Sequence, residues 1–124
     1  MKKIALILCI FLFGCTEENV EPTIYSGQIT KIESLANITL GQSDTIVVTF
    51  SGGTDGCAKP DHLEATLAGF TFTFKAYYNY PAHATVCTDN IPIHQLKYSW
   101  KPTSTGTYSY RTLDSAAASA TIVN

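Results

Sequence analysis

The run Gly69-Phe70-Thr71-Phe72-Thr73-Phe74-Lys75 constrains this chain more than any other segment. Apolar and polar residues alternate without a break, and side chains along an extended strand repeat with period two. Phe70, Phe72 and Phe74 therefore share one face, and Thr71, Thr73 and Lys75 share the other. Burial of each ring is worth roughly 1.5–3 kcal/mol. The run predicts a core wall made by one face of a sheet, with a second layer packed on it.

Other segments repeat the pattern. Ile46, Val48 and Phe50 alternate with Thr45, Val47 and Thr49. Leu96, Tyr98 and Trp100 alternate with Lys97, Ser99 and Lys101, and Tyr108 and Tyr110 with Ser109 and Arg111. Thr121 to Val123 is a β-branched ending, and Gln28–Ser34, Leu63–Leu67 and Ala84–Thr88 are weaker strand candidates. Turn signals stand between these runs, at Gly41, Gly52-Gly53, Gly56, Gly69, Pro81, Pro92 and Thr103–Gly106. Ala116-Ala117-Ala118 is helix-prone but too short to stand alone. Seven to eight short strands over residues 24–124 predict an all-β fold, an antiparallel β-sandwich in one domain.

The first residues follow different rules. Lys2 and Lys3 precede an unbroken apolar run from Ile4 to Phe13. Ten helical residues span about 15 Å, half of a bilayer core of roughly 30 Å. Residues 1–14 therefore read as a signal peptide and not as a membrane span. The segment Leu12-Phe13-Gly14-Cys15 closes it and resembles the lipobox of bacterial lipoproteins. That resemblance implies lipidation of the Cys15 sulfur and cleavage before Cys15, so that the membrane is a partner through the lipid. Two or three acyl chains give lasting attachment where one gives marginal binding. Residues 15–23 then form a tether, with Glu17, Glu18 and Glu21 and no basic residue. The acidic patch resembles the surface-export signal of Bacteroidetes lipoproteins, which implies an outer-membrane protein facing the cell surface. A plain solvated tether has the same composition.

Loss of residues 1–14 removes two of the eight basic residues and none of the ten acidic ones, leaving a net charge of −4. That excludes a basic nucleic-acid surface. The length excludes a multi-domain enzyme with its own nucleotide-binding domain, yet it suffices to bury about two-thirds of the unfolded surface.

Of four cysteines, Cys9 leaves with the signal peptide and Cys15 takes lipid by the lipobox resemblance. Cys57 and Cys87 remain and are expected to pair in an oxidising compartment. A bridge there closes about 31 residues and is worth roughly 3–4 kcal/mol. A metal site that uses both thiolates and a histidine is the alternative, though no CxxC spacing accompanies them.

Gly106-Thr107-Tyr108-Ser109-Tyr110 resembles the late-strand Gly-x-Tyr pattern of immunoglobulin-like domains. The order of runs is similar to small Ig-like lipoproteins of Bacteroidetes. In antibody domains the core tryptophan lies between the two cysteines. Here Trp100 follows both, so an inter-sheet pin is not expected. The bridge is expected to staple the Gly-rich loop holding Cys57 to a neighbouring strand.

Chemistry-bearing groups are sparse. Gly52-Gly53-Thr54-Asp55-Gly56 lacks the Gly-Lys-Ser/Thr ending of a phosphate loop. Asp55, Asp61 and Asp89 fit no calcium-loop spacing. His62, His83 and His94 are expected as exposed loop and strand-end residues. No Gly-x-Ser-x-Gly elbow and no marked carboxylate pair occurs, so a non-enzyme is expected, with no cofactor and no metal. Tyr77-Tyr78-Asn79-Tyr80 is the strongest functional candidate. Tyr78 and Tyr80 continue the Phe70–Phe74 face, whereas Tyr77 falls opposite. Tyr77 with Asn79 and His83 is suited to contact a glycan or protein ligand. Asp44-Thr45-Ile46 and Asp114-Ser115-Ala116 resemble the O-glycan acceptor of Bacteroidetes, which implies modification at Thr45 and Ser115. The sequence predicts a membrane-anchored envelope lipoprotein used for binding or adhesion at the cell surface. An accessory subunit of an envelope complex is the second expectation, and a small metal-dependent enzyme a weaker third.

Overall fold

The structure is a computed structural model and describes residues 22–82 and 86–124. Its nine strands are β1 (Thr23–Ser26), β2 (Gln28–Glu33), β3 (Asn37–Ile38), β4 (Asp44–Ser51), β5 (Lys59–Ala68), β6 (Thr71–Tyr80), β7 (Ile93–Trp100), β8 (Gly106–Arg111) and β9 (Ala118–Val123). They form two sheets packed as a sandwich. One holds β2, β4 and β7, with β4 in the centre. The other runs β5, β6, β8, β9, β3, and β1 also lies against β6.

The alternating runs become strands with the expected sidedness. Ile46, Val48 and Phe50 of β4 are fully buried and face Phe72, Phe74, Tyr108 and Tyr110 from the other sheet. Tyr98 and Trp100 of β7 pack their edges against Phe72, with ring centroids 5.9 and 4.7 Å away. This interleaving of aromatic edges and faces fills the layer between the sheets.

Four details differ from the expectation. The pairing is mainly antiparallel, but β3 with β9 and β6 with β8 are parallel. Phe70 does not complete the core wall: it lies in the β5–β6 turn, 47% exposed, with its ring edge against Tyr108. Gly69 at φ +62° turns the chain there, ahead of β6. Val86, Cys87 and Thr88 are not a strand. The short strands β1 and β3 lie at sheet margins and carry no alternating signal.

The edge of β6 positions the site. On one side β6 pairs with β5 along nearly its whole length. On the other side β8 takes Thr71–Thr73 and β1 takes Tyr77–Tyr80. Phe74, Lys75 and Ala76 fall between these two partners. Gly27 follows β1 and donates its N–H to the Ala76 carbonyl at 2.8 Å, and the chain then crosses into the other sheet as β2. A Cβ on Gly27 would sit 2.5 Å from the Phe50 ring, so glycine permits the crossing.

Candidate functional site

The gap in the β6 edge is a groove of about 510 Å3. Its walls are Ser26 to Gln28 on one side and Thr112 to Asp114, in the turn after β8, on the other. The buried residues Ile29 and Phe74 also line it, so it reaches the core. Tyr77 and Lys75 of β6 complete the lining. A smaller groove of about 230 Å3 adjoins it, bounded by Glu64, Thr66 and Thr73, and Lys75 and Leu113 belong to both.

The turn that forms one wall is held by its own side chains. Thr112 Oγ1 donates to Asp114 Oδ1 at 2.5 Å, and the Ala116 N–H reaches Asp114 Oδ1 at 3.1 Å. These bonds, the Thr112 hydroxyl first, hold the Asp114 carboxyl below the usual carboxylate range. Ser115 takes a left-handed conformation, φ +56°, at the tip. Leu113 projects outward, 74% exposed, beside both grooves.

Tyr77 is half-buried on the outer face of β6, opposite the core, as the alternation requires. Its directly paired neighbour on β5 is His62, and the two rings stack with centroids 4.6 Å apart. The Tyr77 hydroxyl donates to Glu64 Oε2 at 2.9 Å, which pushes its pKa above the ordinary value. Asn79 lies farther along the same face and donates from Nδ2 to Asp61 Oδ2 at 2.7 Å. Asp61 is the extra residue of a bulge between Pro60 and His62. Its other oxygen meets His62 Nδ1 at 2.5 Å. The His62 bond first, then the Asn79 bond, draws the Asp61 pKa below its ordinary value. Tyr77 and Asn79 thus share one polar face, while His83 lies outside the described residues, as does Cys15. Tyr78 packs against the core as expected, whereas Tyr80 lies outside that cluster and its hydroxyl accepts the Thr54 N–H at 2.7 Å; the two rings meet at a steep angle with centroids 6.0 Å apart.

The disulfide Cys57–Cys87 is present, with Cα atoms 5.1 Å apart. It joins two loops at one end of the sandwich, not a loop to a strand. The Gly56 N–H donates to the Thr88 carbonyl at 2.8 Å beside it. A Cβ on Gly56 would overlap the Thr88 hydroxyl, and Gly53 sits at φ +93° under the Tyr80 hydroxyl. The glycines of this loop therefore serve close packing around the bridge. Asp55 lies with the two sulfurs in the one cluster of metal-type ligand atoms among the described residues. Both sulfurs are committed to each other, and Asp55 Oδ1 accepts the Cys57 N–H at 3.0 Å.

The histidines do not behave alike. His62 is exposed as expected, but His94 is buried. Position 94 shares the inward face with Leu96 and Tyr98, its ring packs 5.2 Å from Phe50, and its Nε2 lies 3.2 Å from the Gly52 carbonyl. An Nε2 proton donated to that oxygen satisfies the buried ring. Among the described residues no serine or threonine hydroxyl bonds to either histidine, and no nucleophile–base pair is assembled.

Of the two glycan-acceptor matches, Thr45 lies on the outer face of β4 with its hydroxyl 3.0 Å from Ser99 Oγ. Its preceding Asp44 is fully buried. Ser115 and Asp114 are both exposed at a turn.

The sequence reading missed the buried cluster around Asp44. Tyr110 donates to Asp44 Oδ2 at 2.8 Å and accepts the Trp100 Nε1–H at 3.2 Å. Thr121 Oγ1 lies 2.8 Å from Asp44 Oδ2 and 2.5 Å from the Leu35 carbonyl, with one proton for the two. The Leu35 N–H points at Asp44 Oδ1 from 3.5 Å. The signal was in the register: Asp44 lies on the same face of β4 as Ile46, Val48 and Phe50. Its role is to join the sheets.

In comparisons with known proteins, no family model matches the chain, and no curated protein and no solved structure matches it.

Proposed function

We propose that this chain is a lipid-anchored envelope protein whose β-sandwich binds a ligand at the cell surface, through the groove beside Tyr77. The groove carries this reading. Its volume of about 510 Å3 falls in the range of small-ligand sites, it reaches buried apolar side chains, and polar groups ring its mouth. The lipobox-like Leu12–Cys15 and the acidic tether support the anchor and the surface location. Kinship with Ig-like domains is supported by Tyr108, whose hydroxyl reaches back 3.1 Å to the Ser104 carbonyl at a strand corner.

The test is protease treatment of intact cells, with a lysed control. Surface exposure predicts loss of the protein on intact cells. Protection on intact cells and cleavage after lysis would move the domain to the periplasm and refute the surface role.

A second reading, an accessory subunit of an envelope complex, is favoured by the outer edge of β5. Among the described residues that strand pairs with β6 alone, and its other edge has no strand partner. Purification of the acylated protein without a stoichiometric partner would refute it.

A further inference from the structure

Thr23 and Asn124 lie at opposite ends of the sandwich. Thr23 pairs with Tyr80, the last residue of β6. β8 runs parallel to β6, and its first residue, Gly106, pairs with Val123 at the other end. The Thr23 end also carries two loops. One runs from Gly52 to Ala58 and is held by the Thr54 N–H, which donates to the Tyr80 hydroxyl at 2.7 Å. The other leads from Val86 into β7 and is bridged to the first by Cys57–Cys87.

The second loop is apolar where it meets water. Val86 is 89% exposed, Ile91 67% and Ile93 74%, and among the described residues Leu113 is the one other large apolar side chain exposed to that degree. At the far end Leu40 and Phe70 are about half covered. The loop backbone is pinned by the disulfide, by the Thr88 carbonyl that accepts the Gly56 N–H at 2.8 Å, and by the Pro92 carbonyl that accepts the Gly52 N–H at 3.4 Å. Ile93 points outward because its neighbour His94 faces the core. These side chains are therefore held out in water, where apolar surface costs free energy until something covers it.

What covers them follows from the tether, and this step rests on the reading that Cys15 carries lipid. Eight residues, Cys15 to Pro22, separate the lipid from Thr23. They reach at most about 29 Å. That is less than the length of the ten-residue β6, roughly 33 Å. The Thr23 end thus stays close to the bilayer, at an effective concentration on the order of millimolar, where a weak contact suffices. Near the loops Asp55, Asp61 and Asp89 stand against Lys59, and the tether adds three glutamates. An end of this charge is not drawn to an anionic surface, so the contact is apolar and suits zwitterionic headgroups.

We infer that the bilayer holding the Cys15 lipid also receives this end of the sandwich, with Val86, Ile91 and Ile93 seated among zwitterionic headgroups. The domain then stands on the membrane with Leu40 and Asn124 at its outer end.

The experiment uses the acylated chain, 15N-labelled, in phosphatidylcholine nanodiscs with and without a nitroxide-bearing phosphatidylcholine. The amides of Val86 to Ile91 and of Ile93 are expected to broaden, and those of Leu40, Gly41 and Asn124 to stay sharp, at low and high salt alike. Val86→Ser, Ile91→Ser and Ile93→Ser together, all on exposed side chains, are expected to lower the docked-to-free ratio by about tenfold or more and remove the contrast between the ends. Leu40→Ser is expected to keep it. Equal broadening at both ends, or a contrast that survives the three serines, would overturn the inference while the anchor stands. A contrast that needs anionic phosphatidylglycerol and vanishes in salt would overturn the apolar contact. Sharp amides at this end, with shifts that grow with protein concentration, would give the patch to a second copy and overturn the inference as well. Failure of the chain to stay with the discs would overturn both the inference and the lipid anchor it rests on.

Discussion

Replacing Tyr110 by phenylalanine removes one oxygen from the middle of the sandwich and tests whether the Asp44 cluster joins the sheets. The phenol is fully buried, and its hydroxyl bridges Asp44 Oδ2 at 2.8 Å and Trp100 Nε1 at 3.2 Å. Loss of the oxygen leaves almost no cavity, so packing contributes little to the cost. What is lost is a bond to a buried carboxyl, worth about 1.5–3 kcal/mol, and the acceptor of the indole N–H. Asp44 Oδ2 keeps the Thr121 hydroxyl at 2.8 Å. Thr121→Val, close in shape, removes that second donor and is expected to cost about 1–3 kcal/mol. The double variant leaves Oδ2 with no side-chain donor at a position without solvent. Its cost is therefore expected to exceed the sum of the single losses by about 0.5–3 kcal/mol. Urea unfolding followed by far-ultraviolet circular dichroism measures all three, with an unchanged m value as the sign that the unfolded ensemble is the same. A loss below about 0.5 kcal/mol for Tyr110→Phe, or strict additivity in the double variant, would refute the reasoning.

Three further outcomes follow from the same geometry. Burial pushes the Tyr110 phenol up to about 12 from its ordinary 10.0. The unfolded chain then releases this proton first, so the stabilisation is complete below pH 10 and disappears as pH rises to about 12, roughly 2–3 kcal/mol in all. Urea midpoints across that window should fall more steeply for the native chain than for Tyr110→Phe. Phe74→Ala is expected to cost about 3–5 kcal/mol and Phe70→Ala about 1 kcal/mol, measured by chemical denaturation, and equal losses would contradict the split between core and turn. Reduction of Cys57–Cys87 should lower stability by about 3–4 kcal/mol, and an unchanged melting temperature would show that the loops hold without it.

How far the sequence could be read depended on whether a feature is local. The faces of β4, β6, β7 and β8 are written in the period-two alternation, which needs no knowledge of the partner strand. The pairing of Cys57 with Cys87 was expected from the resemblance of Leu12–Cys15 to a lipobox, which would leave these two as the remaining cysteines, and the structure contains the bridge. Phe70 breaks the rule because a period counts positions and does not say where a strand yields to a turn. The inward placement of Asp44 and His94 was also in the register, but a polar residue on a dry face makes sense only with its partners in view. Those partners, Tyr110 and Thr121 for Asp44, lie 66 and 77 residues away. The groove is less legible still. It arises because β1 and β8, far apart in the chain, stop short of each other along one edge of β6.

That shared edge also decides how the domain answers to force. Tension arriving from the chain upstream of Thr23 falls first on β1, four residues joined to β6 from Thr23↔Tyr80 to Ser26↔Tyr77. Pulled outward at Thr23, these pairs open one after another, not together, so β1 yields at a load the core strands withstand. Its last residue, Ser26, is a wall of the groove. A pull from the N-terminus in a single-molecule experiment should therefore give a small first extension before the main rupture, and a ligand seated against Ser26 should raise the force of that first step. The strand that carries the load would then also sense whether the groove is filled.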